Sequence, residues 1–315
     1  MTTVLVLEKF ADVYVAGLRE QFPRLNVHSA RILSEVAVDP SEIDVLVAFG
    51  IAVNDDFMKQ TTNVQWIQSL ASGVDHFLRS SWLRPQTLLT SARGIHGPAM
   101  REAVAYLMLS INRDTPRLVR NQANHVWDRS RPWPLLACKT AVVVGIGVGG
   151  TAIGQLLNGF GMRVLGISHT QRRVEGFDAI LPPAQLLEAV READYVINIL
   201  PGGPENAGVI SRDVFEAMKP SAYFINVGRG DTLDEAALIE CLRAGRIAGA
   251  GLDVFRTEPL PGDSLLWDLP NVFICPHIGG LFKEYEEYVM PILIENMGLF
   301  LQGRGFEMRN LVQHG

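Results

Sequence analysis

Cysteine is scarce in this chain, with Cys138, Cys241 and Cys275 far apart and odd in number. That pattern excludes a disulfide framework and a cysteine-built metal knuckle, so reduced thiols, no metal and a cytoplasmic location are expected. An excess of positive charge is also missing. The formal net charge is −6, and no run of Lys and Arg is dense enough to neutralise a phosphate backbone, so no nucleic-acid partner is expected. The apolar run Val4–Leu7 ends at Glu8 and Lys9, too short for the core of a secretory signal. Long hydrophobic runs are absent apart from one candidate, Thr140–Met162, which carries no charge but holds seven glycines. Each glycine costs a helix interior up to about 1 kcal/mol relative to alanine, which argues against a membrane span there.

What is present is the composition of a packed globular protein: 48% hydrophobic and 20% charged residues over 315 positions, ample for two domains. Short apolar runs alternate with amphipathic ones. Strands are predicted at Val4–Leu7, Val45–Phe49, Leu88–Ser91, Ala141–Val144, Arg163–Ile167, Tyr195–Ile199, Tyr223–Val227 and Ala250–Asp253. Helical patterns lie at Ala11–Gln21, Met100–Ile111, Ala184–Ala193, Asp213–Met218 and Asp234–Arg243, and another runs towards Gly303 with an interruption at Pro291. Such alternation predicts an α/β protein with parallel sheets covered by helices on both faces. Breaker-rich joints at Gly94–Pro98 and Pro276–Gly280 suggest that the chain leaves one domain and later returns to it. The boundaries expected are residues 98–281 for an inserted domain and 1–97 plus 282–315 for the domain it interrupts.

Gly145-Ile-Gly147-Val148-Gly149-Gly150 reads as G-x-G-x-x-G between a β-branched strand and a helical pattern. The first glycine permits a tight turn, the second admits a pyrophosphate, and the third lets the helix approach the sheet. An ordinary glycine-rich turn is the alternative, and the strand–loop–helix context favours a dinucleotide. The next strand runs into Ser168, His169, Arg172 and Arg173, with no carboxylate before Glu175. A hydroxyl, an imidazole and two guanidiniums would cradle a 2′-phosphate, so NADP is expected ahead of NAD; a solvated basic loop is the alternative reading. Arg229, Glu258 and His277 each follow a predicted strand. In a parallel sheet they emerge at the carboxyl edge, where ligands bind, together with the glycine loop.

The blocks Ser69-Leu-Ala-Ser-Gly-Val-Asp75, Gly145–Gly150, Leu200-Pro201, Asn226–Gly230, Asp253–Pro259 and Pro276–Gly280 occur in an order that resembles the D-isomer-specific 2-hydroxyacid dehydrogenases. Within that family the chain is most similar to glyoxylate/hydroxypyruvate reductases and related 2-ketoacid reductases. The resemblance implies a Rossmann domain inserted into a flavodoxin-like one, and hydride transfer between NAD(P)H and a small 2-oxo acid. It implies that His277 is the acid–base, that Glu258 holds its imidazole, and that Arg229 grips the substrate carboxylate and polarises the carbonyl. Ala71, Ser72 and Gly73 would bind the other side of the carboxylate. Asp253 would meet the nicotinamide end, with Leu200, Pro201, Asn206, Val227, Gly228 and Gly279 completing the cofactor contacts. A homodimer is implied as well. Three departures stand out: Ser168 where relatives often carry an acid, His169 where NADP enzymes of this kind often carry Arg, and Asn206 where many have Thr. Rival readings are a nucleotide-sensing scaffold or corepressor-like protein on the same fold, and a formate-, phosphite- or phosphoglycerate-type dehydrogenase. His96 at the first joint is a further candidate to approach the substrate, and Trp66, Trp127 and Trp133 are expected in the core or at an interface.

Overall fold

The computed structural model describes residues 1–314. The chain divides into two compact units, Met1–Ile95 with the chain from Phe282 onward, and His96–Leu281.

In the first unit, β1 (Thr3–Leu7), β2 (Asn26–Ala30), β3 (Val45–Ala48), β4 (Trp66–Ser69) and β5 (Leu88–Thr90) form a sheet ordered β2-β1-β3-β4-β5. All its pairings are parallel, and this is the flavodoxin-like order. Strands β1, β3 and β4 are buried at every position, as a parallel sheet covered on both faces requires. The helix Tyr285–Leu301 packs Val289, Ile292, Leu293 and Met297 into this unit's core at helical spacing. It passes through Pro291 without a break, contrary to the interruption expected there. Proline removes one backbone donor, and the buried apolar stripe outweighs that loss.

The second unit carries β6 (Thr140–Val144), β7 (Arg163–Ile167), β8 (Ala179–Leu181), β9 (Tyr195–Asn198), β10 (Tyr223–Asn226), β11 (Gly249–Leu252) and β12 (Val272–Ile274). Their order is β12-β11-β10-β9-β6-β7-β8, again all parallel. The chain starts in the middle, walks outward one way, then returns beside β6 and walks the other way. The strand order therefore reverses between β6 and β9, and such a switch point leaves a crevice at the carboxyl ends of those strands. The charge-free stretch at 140–162 folds as β6, the glycine loop and the helix Val148–Gly159. No helix among the described residues is long and apolar enough to cross a membrane.

Candidate active site

The glycine loop leaves β6 with Gly145 at φ +106°, a conformation that side chains disfavour. A Cβ at Gly150 would lie 2.0 Å from the Gly145 carbonyl oxygen, so that glycine lets the helix start against the strand end. Gly147 differs, because a Cβ there would meet nothing within 4 Å. Protein packing does not demand glycine at Gly147; an approaching ligand would. The first intrahelical bond runs from Thr151 N–H to Gly147 O at 2.9 Å. The N–H groups of Val148, Gly149 and Gly150 thus open the helix without intrahelical acceptors, an arrangement suited to a pyrophosphate.

Beyond β7, Ser168 Oγ accepts from Thr170 N–H at 3.2 Å and shapes the turn. Arg172 Nη2 donates to Ile146 O at 3.0 Å, which ties this turn to the glycine loop. His169 and Arg173 are exposed, while Glu175 faces the helix through Gln155 at 3.5 Å. After β9, Leu200 N–H is held by Asn198 Oδ1 at 3.3 Å, Pro201 is exposed, and Asn206 closes a turn onto Gly203 O at 3.1 Å.

Val227 continues β10, donating to Asn198 O at 3.0 Å. Glycines flank Arg229 for steric reasons. A Cβ at Gly228 would sit 2.5 Å from Leu200 O, and one at Gly230 would sit 1.9 Å from the Phe255 carbonyl carbon. The Arg229 turn is thus wedged between the loops that follow β9 and β11, and Arg229 Nη1 donates to Gly228 O at 2.7 Å. In the loop after β11, Glu258 Oε1 accepts from Phe255 N–H at 2.9 Å. Its Oε2 lies 2.6 Å from His277 Nδ1. His277 has φ +54°, a costly conformation for a residue with a side chain. Asp253, 2% exposed, holds that turn in place. Its backbone oxygen accepts from His277 N–H at 2.8 Å, and its carboxylate accepts from Ile278 N–H at 2.9 Å and Gly279 N–H at 3.0 Å. A Cβ at Gly279 would lie 2.7 Å from that carboxylate. Ala71, Ser72 and Gly73 lie on the loop after β4, in the other unit.

The family model described as "D-isomer specific 2-hydroxyacid dehydrogenase, NAD binding domain" matches residues 105–279. The chain belongs to the D-isomer-specific 2-hydroxyacid dehydrogenase family. The enzyme is 31% identical to glyoxylate/hydroxypyruvate reductase B of Escherichia fergusonii, over 96% of this chain and 95% of that one. It is similar to the crystal structure of a D-isomer-specific 2-hydroxyacid dehydrogenase family protein from Aeromonas salmonicida, with TM-score 0.90, 32% identity, and 99% and 98% of the two chains covered. It is also similar to an NADPH-dependent glyoxylate/hydroxypyruvate reductase from Sinorhizobium meliloti solved with NADP and sulfate, with TM-score 0.84, 27% identity, and 99% and 98% covered. It is an NAD(P)-dependent 2-hydroxyacid dehydrogenase.

Electrostatics complete the picture of the enzyme. Burial of Glu258 opposes its charge, but hydrogen bonds from His277 and the Phe255 N–H, with the fields of His277 and Arg229, outweigh burial and hold its carboxyl below the usual range. His96 begins this unit, and its ring approaches Gly280, whose Cβ position lies 3.3 Å from His96 Cδ2. Burial, then the charge of Arg229, lowers its pKa to about 4 and keeps the ring neutral. Burial, then Asp253, pushes the Cys275 thiol up to about 11, which suits packing rather than reactivity. Trp66 is fully buried, whereas Trp127 and Trp133 are 90% and 42% exposed. Sequence reasoning missed Asn198 and Thr232 and took Asn226 only as the start of the block that carries Arg229; all three are fully buried. A signal was there: Tyr195-Val-Ile-Asn198 and Tyr223-Phe-Ile-Asn226 repeat one pattern at the ends of neighbouring strands.

Proposed function

We propose that the enzyme reduces glyoxylate, hydroxypyruvate or a similarly small 2-oxo acid with NADPH, giving the D-2-hydroxy acid. The observation that carries this reading is the 2.6 Å pair of His277 Nδ1 and Glu258, held on the same strand-end edge as Arg229 and the glycine loop. When bound, the reduced nicotinamide supplies hydride to the carbonyl carbon. Glu258 accepts from Nδ1–H and so fixes the tautomer and orientation of the ring, which turns Nε2 towards the substrate oxygen. His277 delivers the proton that the developing alkoxide requires. Arg229 binds the substrate carboxylate and draws electron density from the carbonyl, tasks that a planar, permanently charged guanidinium performs well. Backbone N–H groups of the Ala71–Gly73 loop are proposed to bind the carboxylate too.

For the cofactor, Gly145–Gly150 and the opening turn of the helix are proposed to hold the pyrophosphate. Leu200, Pro201, Asn206, Val227 and Gly228 line the rest, with Asp253 and Gly279 towards the nicotinamide. NADP preference is supported by Ser168 in place of an acid, with His169, Arg172 and Arg173 available to a 2′-phosphate, and by the NADP held by the Sinorhizobium relative. The reading includes a cytoplasmic homodimer; Trp127 and Leu135, 90% and 70% exposed, offer apolar surface that a second copy would cover.

A spectrophotometric screen of glyoxylate, hydroxypyruvate, pyruvate and phenylpyruvate with NADPH and with NADH tests this reading. Fastest turnover of glyoxylate or hydroxypyruvate with NADPH is expected. Activity confined to phenylpyruvate would refute the substrate class, and a strong NADH preference would refute the cofactor.

A further inference from the structure

Strands β9 and β10 pair in register, so that Tyr195 stands opposite Tyr223 and Asn198 opposite Asn226. The tyrosine rings stack at 5.5 Å at one end of the pair. At the other end, the two asparagines lie fully buried beneath the Arg229 turn together with Thr232. Their hydrogen bonds determine one another. Leu200 N–H requires an oxygen, so Asn198 presents Oδ1 to it at 3.3 Å. The amide Nδ2 of Asn198 then faces the other way, donating to Asn226 Oδ1 at 2.9 Å and to Thr232 Oγ1 at 2.7 Å. Asn226 Oδ1 also accepts from Gly228 N–H at 3.2 Å, which turns its own Nδ2 to Arg229 O at 3.4 Å. Thr232, having accepted from Asn198, donates its single hydroxyl hydrogen to Arg229 O at 2.6 Å.

The Arg229 carbonyl is therefore held from two sides, and the same network reaches the Leu200 loop. Rotating any member would strand a buried polar group, so the arrangement has one low-energy state. Neither Gly228 nor Gly230 has room for a side chain, so the turn that carries Arg229 packs its backbone directly against Leu200 and Phe255.

We propose that Asn198, Asn226 and Thr232 are positioning residues that set the direction from which the Arg229 guanidinium meets the substrate carboxylate. The proposal rests on the reading of Arg229 as the carboxylate-binding group. These residues act through Arg229 and touch no substrate atom themselves. A defect in them raises the KM for the 2-oxo acid through the weakened carboxylate contact, and lowers kcat to the extent that carbonyl polarisation by Arg229 is lost. For a change at Thr232, whose hydroxyl bonds Asn198 and the Arg229 carbonyl and no cofactor-lining residue, nucleotide affinity stays close to that of the unaltered enzyme.

The test compares Thr232→Val, Thr232→Ser and Arg229→Gln, using whichever of glyoxylate and hydroxypyruvate is turned over faster. Steady-state kcat and KM, NADPH Kd by fluorescence and thermal unfolding are measured for each. Thr232→Val is expected to raise KM by about tenfold, the equivalent of one lost hydrogen bond. NADPH Kd should stay within about twofold in that variant, and Thr232→Ser should restore KM. Should Thr232→Val fail to fold, Thr232→Ala removes the same hydroxyl donor to the Arg229 carbonyl and is held to the same expectation. A folded Thr232→Val enzyme with unchanged KM, beside an Arg229→Gln enzyme with raised KM, overturns the proposal and leaves the role of Arg229 standing. Equal losses of nucleotide and 2-oxo acid binding overturn it too, since they mean collapse of the edge rather than misdirection of one side chain. An unchanged KM in Arg229→Gln removes the role of Arg229 and the proposal with it.

Discussion

Each of the two parallel sheets carries a buried polar network, and the two networks end in different places. In the five-stranded unit, Trp66 Nε1 donates to Thr90 Oγ1 at 2.8 Å, and Thr90 donates to Gln68 Oε1 at 2.8 Å. Asn296 Nδ2 reaches the same Gln68 oxygen at 3.1 Å, and its Oδ1 accepts from Arg309 N–H at 2.7 Å. That chain of bonds joins two strands, the helix Tyr285–Leu301 and the segment after it, and stops at backbone. In the seven-stranded unit, the network under β9 and β10 stops at the carbonyl of Arg229 and at the Leu200 N–H. Both obey one rule, that polar groups taken out of water must find partners. Both networks end on backbone, and the difference lies in which backbone: in one unit it belongs to the scaffold, in the other to the turn that carries Arg229, the residue proposed to bind the substrate.

The comparison would break most sharply if the seven-stranded edge were not where the chemistry lies. His277→Ala should lower kcat by about a thousandfold, in line with loss of a positioned acid–base, while NADPH still binds; near-normal turnover in stopped assays would end the argument. Within the glycine loop, a next-largest effect separates scaffold from ligand contact. Gly150→Ala drives a methyl into the Gly145 carbonyl at 2.0 Å and should destabilise the fold by about 1–3 kcal/mol or more in chemical denaturation. Gly147→Ala, with open space around it, should melt like the parent and weaken NADPH binding on the order of tenfold.

Thr90→Val sharpens the contrast between networks. It leaves the Trp66 N–H without its acceptor and should cost about 1–3 kcal/mol of stability, with KM for the 2-oxo acid unmoved. The smallest effect is the shape of the acid limb. The folded value of His96 is depressed from 6.5 to about 4, so its contribution to stability is complete above 6.5 and is lost as pH falls through about 4. Glu258 has the same sign, contributing above its usual 4.5 and losing that contribution as pH falls through its lowered folded value. Unfolding curves of His96→Gln between pH 7 and 4 should therefore slope less than those of the parent; identical slopes would refute the assignment to His96.

Legibility followed burial and sequence distance. Strands buried on both faces, such as Val45–Ala48 and Thr140–Val144, announced themselves as β-branched runs. β2 (Asn26–Ala30), with Asn26, His28 and Ser29 among its five residues, and β8 (Ala179–Leu181), three residues long and half-buried throughout, present no apolar run clear enough to predict a strand. β4 (Trp66–Ser69) was hidden because Gln68 and Ser69 look like surface residues although both are fully buried. Pro291 misled because a local breaker signal competes with apolar packing that only the assembled unit supplies. The candidate site was legible as separate motifs, and the residues beneath it were not, since an isolated Asn or Thr reads as surface until its neighbours are known.

By itself, then, the order of residues determined the alternation of strands and helices, the turn chemistry of Gly145–Gly150 and the family to which the chain belongs, because these depend on residues close together along the backbone. Tertiary structure alone decided that Glu258 Oε2 lies 2.6 Å from His277 Nδ1, that Asp253 clamps the turn after β12, and that Asn198, Asn226 and Thr232 meet under Arg229. Those contacts join loops many residues apart. Their distances follow from strand order and register, which arise only when the whole sheet closes around its core.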